Sequence, residues 1–136
     1  MRNNRAASIL IALLAGFVLA GPGQAHHSFS AEYDADKPVE VTGTVTKVEW
    51  ANPHARFYVD VKDDQGNLTN WNIELGPPFI LKRLGWRRDS LKIGDQVAVA
   101  GYSAKDGSRA ANAKKVTLAD GRSVFAGSQA EEKPAH

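Results

Sequence analysis

Val39–Trp50, with the sequence VEVTGTVTKVEW, is the most informative stretch of this chain for its fold. It is rich in Val and Thr, which are typical of β-strands. Its apolar side chains occupy odd positions as far as Val45 and even positions from Val48 onward. Because side chains of a strand alternate between two faces, this change of parity predicts a bulge or sharp bend. Gly43 agrees with a bend, so the stretch predicts a long, bent first strand.

The residues that follow alternate between apolar and polar and are separated by turn residues. They predict, in chain order, strands at His54–Lys62 and Leu68–Leu75, a short helix at Phe79–Leu84, strands at Gln96–Ala104 and Ala110–Leu118, and a last extended piece at Ser123–Phe125. The side chains expected inside are Val45, Phe57, Val59, Trp71, Ile73, Leu75 and Val97. This order best fits an all-β fold, a five-stranded OB-like barrel with a short helix between strands 3 and 4. An open β-sandwich is the alternative.

Met1–Ala25 has the three parts of a cleavable secretory signal peptide. Two arginines precede an apolar run at Ile9–Ala20, which is too short to span a membrane. Gly23–Ala25 places small residues where signal peptidase reads them, and the rival cut follows Ala20. We therefore expect a periplasmic or secreted protein that is cleaved after Ala25 and has no membrane span after cleavage.

The remainder divides into three parts. His26–Pro38 is polar and aperiodic, which predicts an extended N-terminal arm. Val39–Phe125 is the predicted OB-like barrel domain, and Ala126–His136 is a polar tail predicted to be disordered.

The charge balance argues against a nucleic-acid partner. The whole chain has 17 Lys and Arg against 15 Asp and Glu, but two arginines belong to the signal peptide, so the remainder is formally neutral. Nucleic-acid binding needs a localised basic patch. The chain has no Cys, and it has no G-x-S-x-G elbow, P-loop or H-E-x-x-H motif. We therefore predict a non-catalytic protein and name no catalytic residue.

The histidines suggest a metal site. After cleavage at Ala25, His26 would carry a free α-amine beside its own imidazole, and the two groups can chelate a metal. A second imidazole would complete a three-nitrogen histidine brace, which favours Cu(II). His54, held just after Pro53, is the candidate third ligand, and His27 competes with it. Copper, or another divalent metal, is thus the expected cofactor. The alternative is a solvated terminus, with His54 on the wet side of its strand.

The outer face of the second and third strands is a second candidate site. OB barrels often bind oligonucleotides or oligosaccharides there. In this chain the face offers His54, Arg56, Tyr58, Asn70, Asn72 and Glu74. They suggest a binding module for a small polar ligand, peptide or glycan, while an ordinary solvated sheet face is the alternative. The metal hypothesis requires an unmodified His26, whereas the module hypothesis does not depend on it.

Several short motifs also resemble those of a known family. They are Ala25–Phe29 (AHHSF), Val41–Val45 (VTGTV), Asn52–His54 (NPH), Gly85-Trp86, Leu91–Asp95 (LKIGD) and Gly101-Tyr102. They resemble an uncharacterised family of small exported bacterial proteins, domain of unknown function (DUF) family 6152. The resemblance covers about residues 25–127 and implies an exported small β domain. It implies no activity.

Overall fold

The computed structural model describes residues 29–128. The predicted signal peptide, His26, His27 and the chain beyond Ser128 lie outside the described residues. The elements are β1 (Tyr33–Glu49), β2 (Arg56–Lys62), β3 (Leu68–Glu74), α1 (Pro78–Arg83), β4 (Gln96–Ala104), β5 (Ala110–Leu118) and β6 (Ser123–Phe125). Their order confirms the predicted succession of three strands, a helix and two strands. Within residues 29–128, no helix is long and apolar enough to cross a membrane.

The strands form one closed ring. Antiparallel pairing gives the order β3-β2-β1-β4-β5-β6. A parallel pairing of β3 with β5, at Asn72–Glu74 against Ala110–Asn112, closes the ring of five strands. The prediction of a five-stranded OB-like barrel is therefore confirmed, and the open sandwich is excluded. The short β6 pairs with β5 at Lys115–Thr117 and adds a sixth strand beside the ring.

A bulge in β1 explains the change of parity seen in the sequence. Val45 pairs with Val59, but the next pair joins Lys47 to Tyr58, so one residue of β1 is extra. The bulge lies where the parity of the apolar residues changes. Nearby, a Cβ on Gly43 would lie 2.2 Å from the carbonyl oxygen of Asp60. The two strands approach so closely at this bend that only glycine fits.

The inward-facing residues form the predicted core. Six of the seven predicted core side chains are buried, and Trp71 is partly buried against them. The helix α1 begins after Pro77, as proline-led helices do, and buries Leu81 completely. Trp86 and Leu91, in the loop that follows, are also buried. The segment between β3 and β4 therefore closes one end of the barrel, as the predicted helix position implies.

Both flanks of the domain differ from the prediction. Strand β1 begins at Tyr33, six residues before the predicted start, and residues 29–32 are helical rather than extended. Phe29 and Tyr33 are buried, with ring centroids 5.7 Å apart. At the other flank Ala126 is fully buried, and its carbonyl accepts a 2.7 Å hydrogen bond from the Gly76 N–H. Ala126–Ser128 thus pack on the barrel, although the tail was predicted to be disordered from Ala126.

Candidate functional site

A buried carboxylate lies at the end of β3. Glu74 is 5% exposed, although alternation along the strand predicted an outward, solvated side chain. Arg56, its direct partner on β2, forms a salt bridge with Glu74 Oε2. Asn112 Nδ2 donates to Glu74 Oε1 at 3.2 Å, and His54 Nδ1 lies 3.7 Å from the same oxygen. We call Glu74, Arg56, Asn112 and His54 the Glu74 cluster.

Further hydrogen bonds connect the cluster to its surroundings. The Ser128 hydroxyl donates to Asn112 Oδ1 at 2.7 Å, and Arg56 Nη1 donates to Asn72 Oδ1 at 3.3 Å. Within residues 29–128, every buried side-chain nitrogen or oxygen has a hydrogen-bond partner. A buried charge costs several kcal/mol unless it is paired, so these contacts are what make the burial of Glu74 tolerable.

Tyr33 covers the cluster from the N-terminal side. It is buried, and Arg56 hydrogen-bonds to its hydroxyl. Burial raises the pKa of Tyr33 far above its ordinary value, and the negative charge of Glu74 raises it further. The positive charge of Arg56 lowers that pKa, but by less. Tyr33 is therefore a neutral hydroxyl beside a charged pair.

The raised pKa of Tyr33 predicts a loss of stability at alkaline pH. In the unfolded chain the tyrosine ionises near its ordinary pKa of about 10, whereas in the folded protein it stays protonated to higher pH. The stabilisation is therefore complete below about pH 10 and declines above it. Urea unfolding between pH 9 and pH 11 should show this decline, and Tyr33→Phe should decline less steeply. Equal slopes for the two proteins would contradict the prediction.

A cleft of about 510 Å³ opens beside Tyr33. Its polar lining comes from the N-terminal segment, from β2 and β3, and from the β4–β5 connection, namely Glu32, Tyr33, Arg56, Asn72, Lys105, Asp106 and Ser108. The Lys105 N–H donates to the Glu32 carbonyl at 2.8 Å, and this bond fixes one wall of the cleft. The cleft thus carries both signs of charge and several neutral hydrogen-bonding groups.

The predicted ligand-binding face divides into three environments. Arg56 and Asn72 line the cleft, while Glu74 is buried and is not part of the lining. Tyr58 lies apart from the cleft lining, and its hydroxyl donates to Glu49 at 3.4 Å. Asn70 donates to Thr46 and Asp60 in an exposed surface network, again outside the cleft lining. The structure therefore brings together only part of the predicted face.

Several residues of this region were not predicted as site residues, and three of them are central to it. Tyr33 and Lys105 line the cleft, and Asn112 holds Glu74. A lone Tyr in a polar arm was a weak signal for burial. Asn112 lies between buried Ala111 and Ala113, and this apolar setting could have marked it as an interior amide.

Of the three predicted metal ligands, the structure describes His54 alone. Within residues 29–128, no three His, Cys, Asp or Glu side chains lie close enough together to hold a metal ion. His54 instead meets Glu74, and both side chains are largely buried. A metal site here would therefore need a contribution from residues outside 29–128, among them His26 and His27.

The chain is similar in structure to the mitochondrial single-stranded DNA-binding protein Rim1 of S. cerevisiae, with a TM-score of 0.47 and 15% sequence identity. The match covers 61% of this chain and 94% of that one. A search of curated proteins finds no match. A family model described as a family of unknown function matches residues 15–113. The chain therefore belongs to that family, DUF6152.

Proposed function

We propose that this protein is an exported, non-catalytic OB-type module that binds a divalent metal ion, copper in the first place, through His26 and His54. The observation that carries the proposal is the packing of Phe29, three residues after His26, against two aromatic rings. Phe29 is packed against Tyr33 and against Tyr102, whose ring centroid is 5.8 Å away. Tyr33 in turn interacts electrostatically with Glu74, which neighbours His54.

Chain length limits the distance between His26 and Phe29. An extended chain advances at most about 3.6 Å per residue, so His26 lies within roughly 11 Å of Phe29 along the backbone. The segment from Phe29 onward is already held, because Lys105 donates to the carbonyl oxygens of Ser30 and Glu32. Only His27 and Ser28 separate His26 from this segment, so a metal site that joins His26 to His54 would need only a short stretch of chain.

The carboxylate beside His54 suits a metal-binding imidazole. Histidine ligands usually present their second ring nitrogen to a carboxylate, a carbonyl or water, which fixes the ring and its tautomer. His54 Nδ1 faces Glu74 Oε1 at 3.7 Å, so Nε2 would be the ligating atom. With the amine and imidazole of His26, this set gives three nitrogens, as Cu(II) favours. His27 remains the competing ligand.

Copper titration of the cleaved protein, residues 26–136, tests the proposal. We expect His54→Ala to weaken Cu(II) binding, and we expect the melting temperature of the parent protein to rise with copper concentration. Affinity should fall as pH drops from about 8 to 6, because the amine and imidazole must lose their protons to bind.

The N-terminal chelate needs its own comparison. One added glycine before His26 abolishes its amine–imidazole ring but moves His27 to third place, where another copper site can form. The extended protein should therefore also carry His27→Ala, and the unextended His27→Ala protein is its control. Equal copper affinity in these two proteins would refute the chelate. Unchanged affinity in His54→Ala would remove His54 as a ligand.

The cleft favours a second candidate, a module that binds a small polar ligand, peptide or glycan. Its volume of about 510 Å³ is in the usual range for small-ligand sites, and predicted residues Arg56 and Asn72 line it. Amino acids, dipeptides and monosaccharides can be screened by their effect on the melting temperature. A true ligand should lose its effect in Ser108→Trp, which fills the cleft, and keep it in the glycine-extended protein. A ligand that still raises the melting temperature of Ser108→Trp but not that of the glycine-extended protein would bind outside the cleft.

A further inference from the structure

The segment Pro78–Asp95, between β3 and β4, has two contrasting sides. Its inner side consists of Leu81, Trp86 and Leu91, which are all buried against the barrel core. The segment is well anchored by these contacts and by backbone hydrogen bonds, such as the one from the Trp86 N–H to the Leu81 carbonyl at 2.9 Å. Most of its other side chains are exposed and are carried by this fixed backbone.

Large apolar side chains on this outer side remain in water. Phe79, Leu84 and Ile93 are 58%, 40% and 74% exposed. Phe125 of β6 is 59% exposed and adjoins the segment, because the Trp86 indole donates to its carbonyl at 2.8 Å. In the part of the chain that the structure describes, these are four of the five exposed large hydrophobic residues. Exposed apolar side chains that are concentrated in one part of a fold are typical of an interaction surface.

The same segment is basic. It holds five exposed cations, Lys82, Arg83, Arg87, Arg88 and Lys92, against the two acidic residues Asp89 and Asp95. Asp89 lies 3.5 Å from Arg87, and both side chains are mostly in water, where such a pair contributes little. Asp95 accepts a 2.8 Å hydrogen bond from the Lys92 backbone N–H. The outer side is therefore cationic although the chain after the predicted signal peptide is formally neutral.

We call this outer side the cap surface; it consists of Phe79, Leu84, Ile93, Phe125 and the five cations. We propose that the cap surface docks on an anionic phospholipid bilayer. Lysines and arginines are attracted to anionic headgroups, and apolar side chains beside them gain by entering the acyl boundary. Arg83 already lies over the Phe79 ring at 5.9 Å, so charge and apolar surface are intermixed. A nucleic-acid backbone would satisfy the cations but would leave Leu84 and Ile93 without apolar contact. The cap surface shares no residue with the Glu74 cluster.

Vesicle co-sedimentation of the protein comprising residues 26–136 tests the proposal. We expect binding to vesicles of equal phosphatidylcholine and phosphatidylglycerol and little binding to phosphatidylcholine alone. Lys82→Gln/Lys92→Gln should lower the affinity by about 25-fold, since each lysine near an anionic surface contributes roughly fivefold. The matched control Lys62→Gln/Lys115→Gln removes two exposed lysines elsewhere and should change affinity less than twofold. Phe79→Ser/Ile93→Ser should abolish the binding that survives in 500 mM salt, which screens charge.

Three outcomes would overturn the proposal. They are absence of binding to anionic vesicles, equal losses in the two lysine pairs, and binding that Phe79→Ser/Ile93→Ser leaves unchanged. The last result would indicate a general attraction to polyanions, such as DNA or an acidic protein. Because all the substituted side chains are exposed, circular dichroism should show that every variant remains folded.

Discussion

Replacing Ile73 by Ala is expected to lower the free energy of unfolding by about 2–5 kcal/mol. Ile73 is fully buried in the middle of the barrel, where it pairs with Phe57 on β2 and with Ala111 on β5. Removing its outer carbons leaves a cavity where β3 pairs in parallel with β5 and closes the ring. Because strands on both sides hold this position, the cavity cannot easily collapse, and we expect a loss in the upper half of that range.

Urea unfolding followed by tryptophan fluorescence measures this loss. Leu68→Ala is the matched control, since it removes a similar aliphatic group from the same strand at a position that is 65% exposed. The control should change the free energy of unfolding by no more than about 0.5 kcal/mol. A loss below about 0.5 kcal/mol for Ile73→Ala would mean that the faces of β3 are assigned the wrong way round.

Much of the barrel was predictable because its determinants are local. Alternation along β2 and β3 identified their buried faces, and the parity change between Val45 and Val48 identified the bulge in β1. Pro77 and Pro78 marked the start of the short helix. In each case the signal lies within a few residues of the structure that it specifies.

The flanks were not predictable because their partners are distant in sequence. Tyr33 pairs with Ala104, about seventy residues later, and Ala126 is held by Gly76. Neither flank has the apolar periodicity that identifies a strand, since one or two aromatic or small residues provide the anchoring. Periodic sequence patterns predict the burial of a whole face of a strand or helix, but they do not predict the burial of a single residue outside such a pattern.

The candidate site shows the same limit. Alternation correctly directed the side chain of Glu74 away from the barrel core, but the outside of the barrel is covered at this point. Tyr33 belongs to the N-terminal flank and Asn112 to β5, and Ser128 of the C-terminal flank hydrogen-bonds to Asn112. His54 was selected as a metal ligand from its place after a turn. The predicted pairing of the second and third strands puts His54 and Glu74 on one face, but nothing in the sequence indicates that this carboxylate is buried, because Tyr33 and Asn112 are distant from it along the chain.

Removing Arg56 is expected to cost more stability than removing Glu74. The two form a charged pair, but the Glu74 side chain is 7% exposed and that of Arg56 is 30% exposed. Arg56→Leu leaves a carboxylate with little access to water and should lower the free energy of unfolding by about 3–5 kcal/mol. Glu74→Leu leaves a guanidinium that can turn towards the cleft and its water, so its loss should be smaller.

The double variant Arg56→Leu/Glu74→Leu separates pairing from packing. It buries no unpaired charge, so it should be more stable than Arg56→Leu alone, even though it has lost the salt bridge. Urea unfolding of the parent, the two single variants and the double variant gives the coupling free energy directly. If the two single losses simply add, the coupling free energy is zero and the pair does not interact energetically. A favourable coupling free energy would mean that Arg56 is needed to neutralise Glu74 in the folded protein. A ligand in the cleft would then have to be recognised mainly by the other polar groups of the lining.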